Sequence, residues 1–313
     1  MSRIDNAAPE MPDDFIGWTE RRFAESGLYF GHGTDNALDE AAWLVGSALH
    51  LAPHELDEHL DDELTATQRD AIRALVQKRI ATRLPLAYLL KEAWFAGLKF
   101  YVDERVIIPR SFTAEFIADR FQPWIDPARV HRILDLGTGS ACMAVALAYA
   151  FPWARVDAAD ISPDALAVAR INVASHGMGE RVRLVNSDLF NALQDEYYDL
   201  IVTNPPYVAR AEMDALPPEY RHEPALALVS GDQGLDAILR ILAQAMEHLN
   251  PRGILVAEVG NSGVVLQEQF PAVPFTWLTS ASGDESVFLL TAEQLQQHHA
   301  AFMATLKKTR ESR

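Results

Sequence analysis

The sequence predicts an α/β fold with a mostly parallel sheet, preceded by a small helical domain. Two observations point to it. From about residue 129 onward, short apolar runs alternate with helical stretches, the signature of strand–helix–strand units. Before residue 90 the apolar spacing is helical throughout, with no strand-like alternation.

The first ten or so residues are polar and are expected to be loose. Helical spacing follows. Asp35 to Leu51 places Leu38, Ala42, Val45 and Leu49 on one face. Thr65 with Gln68 forms a capping-box pattern at the start of a helix carrying Ile72, Leu75, Val76 and Ile80, and Pro85 stops it. The run Trp94 to Val102 is aromatic and β-prone. With Arg105 to Ile108 it reads as a hairpin that Pro109 ends. The expected organisation is a helical domain over 1–91, a β-hairpin linker over 92–110 and the α/β domain over 111–313.

In that last domain, strands are expected at His131–Leu136, Ala154–Ala159, Val182–Val185, Tyr198–Thr203 and Gly253–Val259. Helices fall between them at Ser140–Ala150, Pro163–Ser175 and Leu235–Leu249. Phe275–Leu278 and Ser286–Leu290 close the sheet, and His298-His299 reads as a tail feature. Ligands in such sheets bind at the carboxyl ends of the strands, where the strand order reverses.

The 313 residues leave room for two cores, and 49% hydrophobic content excludes a disordered chain. No apolar run reaches the roughly eighteen residues of a membrane span, and the N-terminus lacks the apolar core of a signal peptide. The single cysteine, Cys142, cannot form an internal disulfide and reads as a packing residue. Together these favour the cytoplasm. The net charge of −17 argues against a direct nucleic-acid substrate and steers the chain toward basic partners. The ten histidines show no metal-ligand spacing, so no metal is expected. The acidic run Glu55, Asp57, Glu58, Asp61, Asp62, Glu63 reads as a solvated face, or else as a surface for a basic protein.

Asp135-Leu136-Gly137-Thr138-Gly139-Ser140-Ala141 follows the first strand of the α/β domain. Glycines there let the backbone turn sharply and approach a ligand. A dinucleotide loop is the competing reading. Asp135 sits poorly beside a pyrophosphate but suits a ligand bearing an ammonium group, and Ala141 stands where the last glycine would fall. Asp160, after the second strand, can accept ribose hydroxyls. Asp188, after the third, can accept from an adenine amino group, with Leu189 and Phe190 walling the ring. One such Asp is as easily a helix cap, but three at successive strand ends behind a glycine loop favour a ligand site.

Asn204-Pro205-Pro206-Tyr207 follows the strand at Tyr198–Thr203. Alone, Asn-Pro-Pro is an ordinary turn sequence. At a sheet edge beside a cofactor loop it offers two acceptors to a planar nitrogen: the Asn204 side-chain oxygen and the Pro205 carbonyl, the latter held by proline. Tyr207 can stack on the flat group. Such a site activates an amide or amino nitrogen for methyl transfer by positioning and electrostatics.

With these motifs the sequence resembles the protein-glutamine methyltransferases that modify release factors and ribosomal proteins. The resemblance spans nearly the whole chain and includes Glu223-Pro224-Ala225-Leu226-Ala227-Leu228. Pro109-Arg110-Ser111-Phe112-Thr113-Ala114-Glu115, Ala93 to Leu98, Tyr220 to Pro224 and Glu258 to Ser262 look like the branch acting on large-subunit (50S) ribosomal protein L-three.

The resemblance implies a Rossmann-like class I S-adenosylmethionine methyltransferase sheet. It implies cofactor contacts from Gly137, Thr138, Gly139, Asp160, Leu189 and Asn204, to which the strand-end positions of Asp135 and Asp188 add those two. Asn204, Pro205, Pro206 and Tyr207 are then catalytic and bind substrate, and Arg110, by its place after the hairpin, reaches the cofactor carboxylate or the substrate backbone or else is a plain surface arginine. Glu258 is either an acceptor for Arg110 or a plain strand-end carboxylate. The family has glycine where this chain has Ala141, a departure that costs little only if φ there is negative. The competing functions are a release-factor methyltransferase, a nucleic-acid adenine amino methyltransferase and a ribosome-assembly factor without turnover. A nicotinamide oxidoreductase fits the loop less well.

Overall fold

The computed structural model describes residues 9–311, so all but the last two of the first ten residues, expected to be loose, lie outside it. The chain divides into two compact units, one formed by residues 1–92 with 217–222, the other by 93–216 with 223–313.

The first unit holds α1 (Pro12–Glu25), α2 (Ala37–Ala48), α3 (Ala66–Thr82) and α4 (Leu86–Leu90). Local sequence sets their ends. Asn36 caps α2 through the Asp39 N–H. Thr65 and Gln68 close the expected capping box on α3. Arg83 ends α3 in the left-handed region, just ahead of Pro85. Phe15, Phe23, Leu44, Val45, Ile72, Val76 and Leu86 form the core of this unit.

A charged network is buried beside that core. Arg79, 0% exposed, donates through Nε to Glu40 Oε1 at 2.7 Å and through an NH group to the Tyr29 carbonyl at 3.1 Å. Glu219, also 0% exposed, accepts from Arg83 at 2.7 Å and from the Tyr29 N–H at 3.0 Å. These bonds fasten residues 217–222 into the helical unit, which no periodicity in the sequence announces. The acidic run around Glu58 is exposed.

The second unit begins with a short antiparallel hairpin, β1 (Ala93–Phe95) and β2 (Leu98–Phe100). The expected longer hairpin stops there. Arg105–Ile108 is not a strand: Asp103 turns the chain by accepting from the Arg105 backbone N–H and its guanidinium. Next come α5 (Thr113–Ala118), β3 (Arg132–Leu136), α6 (Cys142–Ala150), β4 (Arg155–Asp160), α7 (Pro163–Ser175), β5 (Val182–Asn186) and β6 (Tyr198–Thr203). After these come α8 (Arg210–Met213), α9 (Asp236–Gln244), β7 (Leu249–Glu258), α10 (Gly263–Gln269), β8 (Thr276–Leu278), β9 (Val287–Thr291) and α11 (Ala292–Glu311).

The sheet order is β5-β4-β3-β6-β7-β9-β8, parallel except for β9, which runs antiparallel to both β7 and β8. Central strands such as Leu200-Ile201-Val202 are apolar on both faces because helices cover both. Met143, Val145, Leu147 and Val173 fill one side. Ile238, Leu242, Leu295 and Phe302 fill the other. His298-His299 therefore lies within a helix and not a tail. Leu295, Phe302 and Leu306 repeat on one face of α11 and are buried, and His299 Nε2 bonds the Ala243 carbonyl at 3.0 Å. Among the described residues, no helix is long and apolar enough to cross a membrane.

Candidate active site

Strand order reverses between β3 and β6, and the loops after β3, β4, β5 and β6 open at this edge. The glycine loop after β3 is stitched to β4, since the Gly137 and Thr138 N–H groups donate to the Ala159 carbonyl at 2.8 and 2.9 Å. Gly137 (φ 77°) and Gly139 (φ 54°) adopt the left-handed conformations their lack of a side chain allows. Asp160 braces the turn from below, accepting from the Gly139 N–H at 2.8 Å and the Ser162 N–H at 2.9 Å.

These loops bound a cleft of about 780 Å³, lined by Ile107, Gly137, Gly139, Asp160, Ile161, Asp188, Leu189, Asn204, Pro205, Pro206, Leu226 and their neighbours. A Cβ added at Gly137 meets nothing within 4 Å, so it would project into open space where a ligand must approach. Asp160 and Asp188 give the cleft hydrogen-bond acceptors. Burial raises the Asp160 carboxyl above its ordinary range, partly offset by its backbone donors. Asp188 is steadied by Arg240 at 2.8 Å.

Asp135 and Thr138 stand elsewhere than expected. Both are buried, and neither lines the cleft. Asp135 Oδ2 accepts from Thr138 Oγ1 at 2.5 Å and from the Ala144 N–H at 2.9 Å, so the pair holds the loop against α6 from behind. Burial pushes the Asp135 carboxyl up to about 7. A carboxyl raised in the folded state contributes stability fully present below the unfolded value near 4 and lost as pH rises through about 7. We expect chemical denaturation at pH 4.5 and 8 to show this loss, and Asp135→Asn to flatten it. An unchanged pH slope in the variant would rule it out.

Ala141 takes φ 63° in a fully buried position. Alanine is disfavoured there by about 1 kcal/mol relative to glycine. Ala141→Gly is expected to raise unfolding stability by about that amount. A neutral or negative change in denaturation midpoint would show that the surroundings already absorb the strain.

Phe190 does not wall the cleft. It turns into the core and stacks on His248 with ring centroids 4.5 Å apart, and Leu189, at φ 50°, is the residue presented to the cleft. Arg110 is placed elsewhere than the cleft. Its guanidinium forks onto buried Glu223 at 2.6 and 2.7 Å. Glu223 also accepts from the Ile108 N–H at 2.9 Å, which clamps Pro224, Leu226 and Ala227 beside Ile107 as cleft wall. The run Arg105–Ile107, expected as strand, is wall too. Only its apolar character hinted at this.

The tetrapeptide contributes to two cavities. Asn204, Pro205 and Pro206 line the cleft, whereas Tyr207 lines a second hollow. Gly260 fits tightly under the Tyr207 ring, where an added Cβ would lie 2.6 Å from a ring carbon, and Ser262 Oγ donates to the Tyr207 carbonyl at 2.8 Å. Asn204 Nδ2 donates to Glu258 Oε1 at 3.2 Å, and Ser111 Oγ donates to Glu258 Oε2 at 2.5 Å. Glu258 thus serves Asn204 rather than Arg110. With Nδ2 engaged there, Oδ1 is the side-chain atom of Asn204 left to accept from a ligand. Burial pushes the Cys142 thiol up to about 12, which removes it from thiolate chemistry. Among the described residues, no group of three His, Cys, Asp or Glu is placed to hold a metal.

A seven-stranded sheet in this order, with a glycine loop after β3 and acidic strand ends around one cleft, is the class I S-adenosylmethionine methyltransferase fold. Family models match in two places: the methyltransferase small domain over residues 115–216 and the PrmC N-terminal domain over 16–90. The ribosomal protein uL3 glutamine methyltransferase of Neisseria meningitidis serogroup B is 49% identical over 93% of this chain and 97% of its own. That of Francisella tularensis is 44% identical over 94% of both. The chain belongs to the ribosomal protein uL3 glutamine methyltransferase family, and it is a methyltransferase.

Proposed function

We propose that this protein transfers the methyl group of S-adenosylmethionine to the side-chain amide nitrogen of a glutamine in ribosomal protein uL3. We place this chemistry in the cytoplasm, where ribosomes are assembled. The observation that carries the reading is the Asn204 amide in the cleft wall, oriented by its bond to Glu258 of the neighbouring hollow.

Bound S-adenosylmethionine supplies a methyl carbon on a positively charged sulfur. Gly137 and Gly139 would let the backbone approach it, Asp160 would accept from its ribose hydroxyls, Asp188 would accept from its adenine amino group and Leu189 would pack on the ring. Asp135 and Thr138 act from behind by fixing the loop. Asn204 Oδ1 and the Pro205 carbonyl accept the two N–H bonds of the substrate amide. This fixes its plane and turns its weakly nucleophilic nitrogen toward the cofactor. The same acceptors favour the charge that grows on nitrogen in the transition state. Tyr207 stacks on the amide, and Glu258 is a positioning residue that keeps Asn204 from flipping.

Radiolabelled S-adenosylmethionine offered with uL3, a release factor and duplex DNA tests this. Label on uL3 alone supports the proposal, label on the release factor moves the substrate, and label on DNA overturns the amide reading.

A further inference from the structure

The second hollow, of about 1510 Å³, is lined by Phe112, Tyr207, Val264 and Trp277 with four carboxylates, those of Glu258, Glu268, Asp284 and Glu285. No lysine or arginine lines it. Ser286 also lines it. Though only 9% exposed, its Oγ has no hydrogen-bond partner among the described residues. A buried hydroxyl left unpaired costs free energy unless a ligand group completes it. The hollow begins at Tyr207 and Glu258, hence next to Asn204. Glu268 and Glu285 are exposed, and Glu285 is held in place by Thr279 Oγ1 at 2.9 Å.

We infer that this hollow is the docking groove for a lysine- or arginine-bearing segment of the substrate polypeptide that flanks the acceptor glutamine. The inference rests on the function proposed above. A protein that sits on ribosomal RNA must carry cations to neutralise phosphate. Before assembly those cations are free to meet carboxylates. Aromatic walls take the aliphatic stems of such side chains while the carboxylates take the heads. Complementary charge of this kind speeds encounter and fixes register. The groove thereby selects the sequence around the glutamine, and the tetrapeptide selects the amide itself.

The test uses the full-length protein and the variant Glu268→Lys/Glu285→Lys, both positions exposed and outside the methyl-transfer machinery. The probes are two fluorescent glutaminyl peptides, one with flanking lysines and one with serines in their place. Anisotropy should show the lysine peptide bound about tenfold more weakly by the variant, with the serine peptide unaffected. In turnover, KM for the lysine peptide should rise by a similar factor with kcat unchanged, and the wild-type preference for lysine should fade at high salt. Equal affinity of wild type and variant for the lysine peptide overturns the groove. So does concentration-dependent dimerisation lost in the variant, which would assign the hollow to a second copy of the chain. Lysine-dependent binding without methyl transfer to peptide or uL3 keeps the groove and sinks the proposed function instead.

Discussion

Asn204→Ala is expected to lower kcat/KM by on the order of 10²–10³, with cofactor affinity and overall stability little changed. The substitution removes the Oδ1 acceptor and takes one donor from Glu258, which keeps its bond from Ser111 at 2.5 Å and the backbone donors of Phe112 and Thr113. The lost interaction is one that strengthens as charge builds on the substrate nitrogen, so the effect falls on the rate more than on substrate binding. Asn204→Asp keeps an acceptor but sets a second carboxyl against Glu258, whose carboxyl burial already raises, with the nearby Asp284 charge adding to that. Two such groups cannot both ionise cheaply, so its activity should fall between wild type and Asn204→Ala and improve as pH falls. Steady-state kinetics from pH 6 to 9, alongside equilibrium binding of S-adenosylhomocysteine, checks both. If Asn204→Ala retained near-wild-type kcat, the tetrapeptide would not be the amide clamp.

Arg79→Ala is expected to destabilise the helical unit by about 3–5 kcal/mol, because it strands the buried Glu40 carboxylate and leaves Glu219 with Arg83 as its remaining guanidinium partner. Glu40 lies 2.7 Å and Glu219 3.8 Å from the Arg79 guanidinium, with all three side chains at most 1% exposed. Burial raises the Glu40 carboxyl and Arg79 is the chief influence holding it down. Without Arg79 the carboxyl rises further and folds protonated. A group raised in the folded state gives stability present at low pH and lost as pH climbs. The deficit of the variant should therefore be smaller at pH 5 than at pH 8. Urea titrations at both values measure it, and an equal deficit would show that packing, not charge, dominates at this position.

The sheet strands, and the chemistry of the loops that follow them, are legible in the residue pattern alone. Apolar runs such as Leu200-Ile201-Val202 must be buried on both faces, and the period of the pattern separates strand from helix. Strand ends then deliver the glycine loop, Asp160, Asp188 and Asn204-Pro205-Pro206-Tyr207 to one edge, because a parallel sheet puts all its carboxyl ends together. Local caps such as Thr65 with Gln68 were legible for the same reason: both partners lie within one turn.

Pairings across long separations are set by the folded chain and not by local pattern. Arg110 is claimed by Glu223, and Asn204 by Glu258, since a buried charge or amide takes whichever partner the fold brings within reach. Asp135 was legible as functional in type, but its burial turned it from ligand contact to loop brace. Phe190 and α11 went inward because the second face of the sheet needed covering. The groove beyond Tyr207 collects residues from the loop after β6, the end of β7, α10, β8 and the turn before β9, which meet only once the sheet has formed.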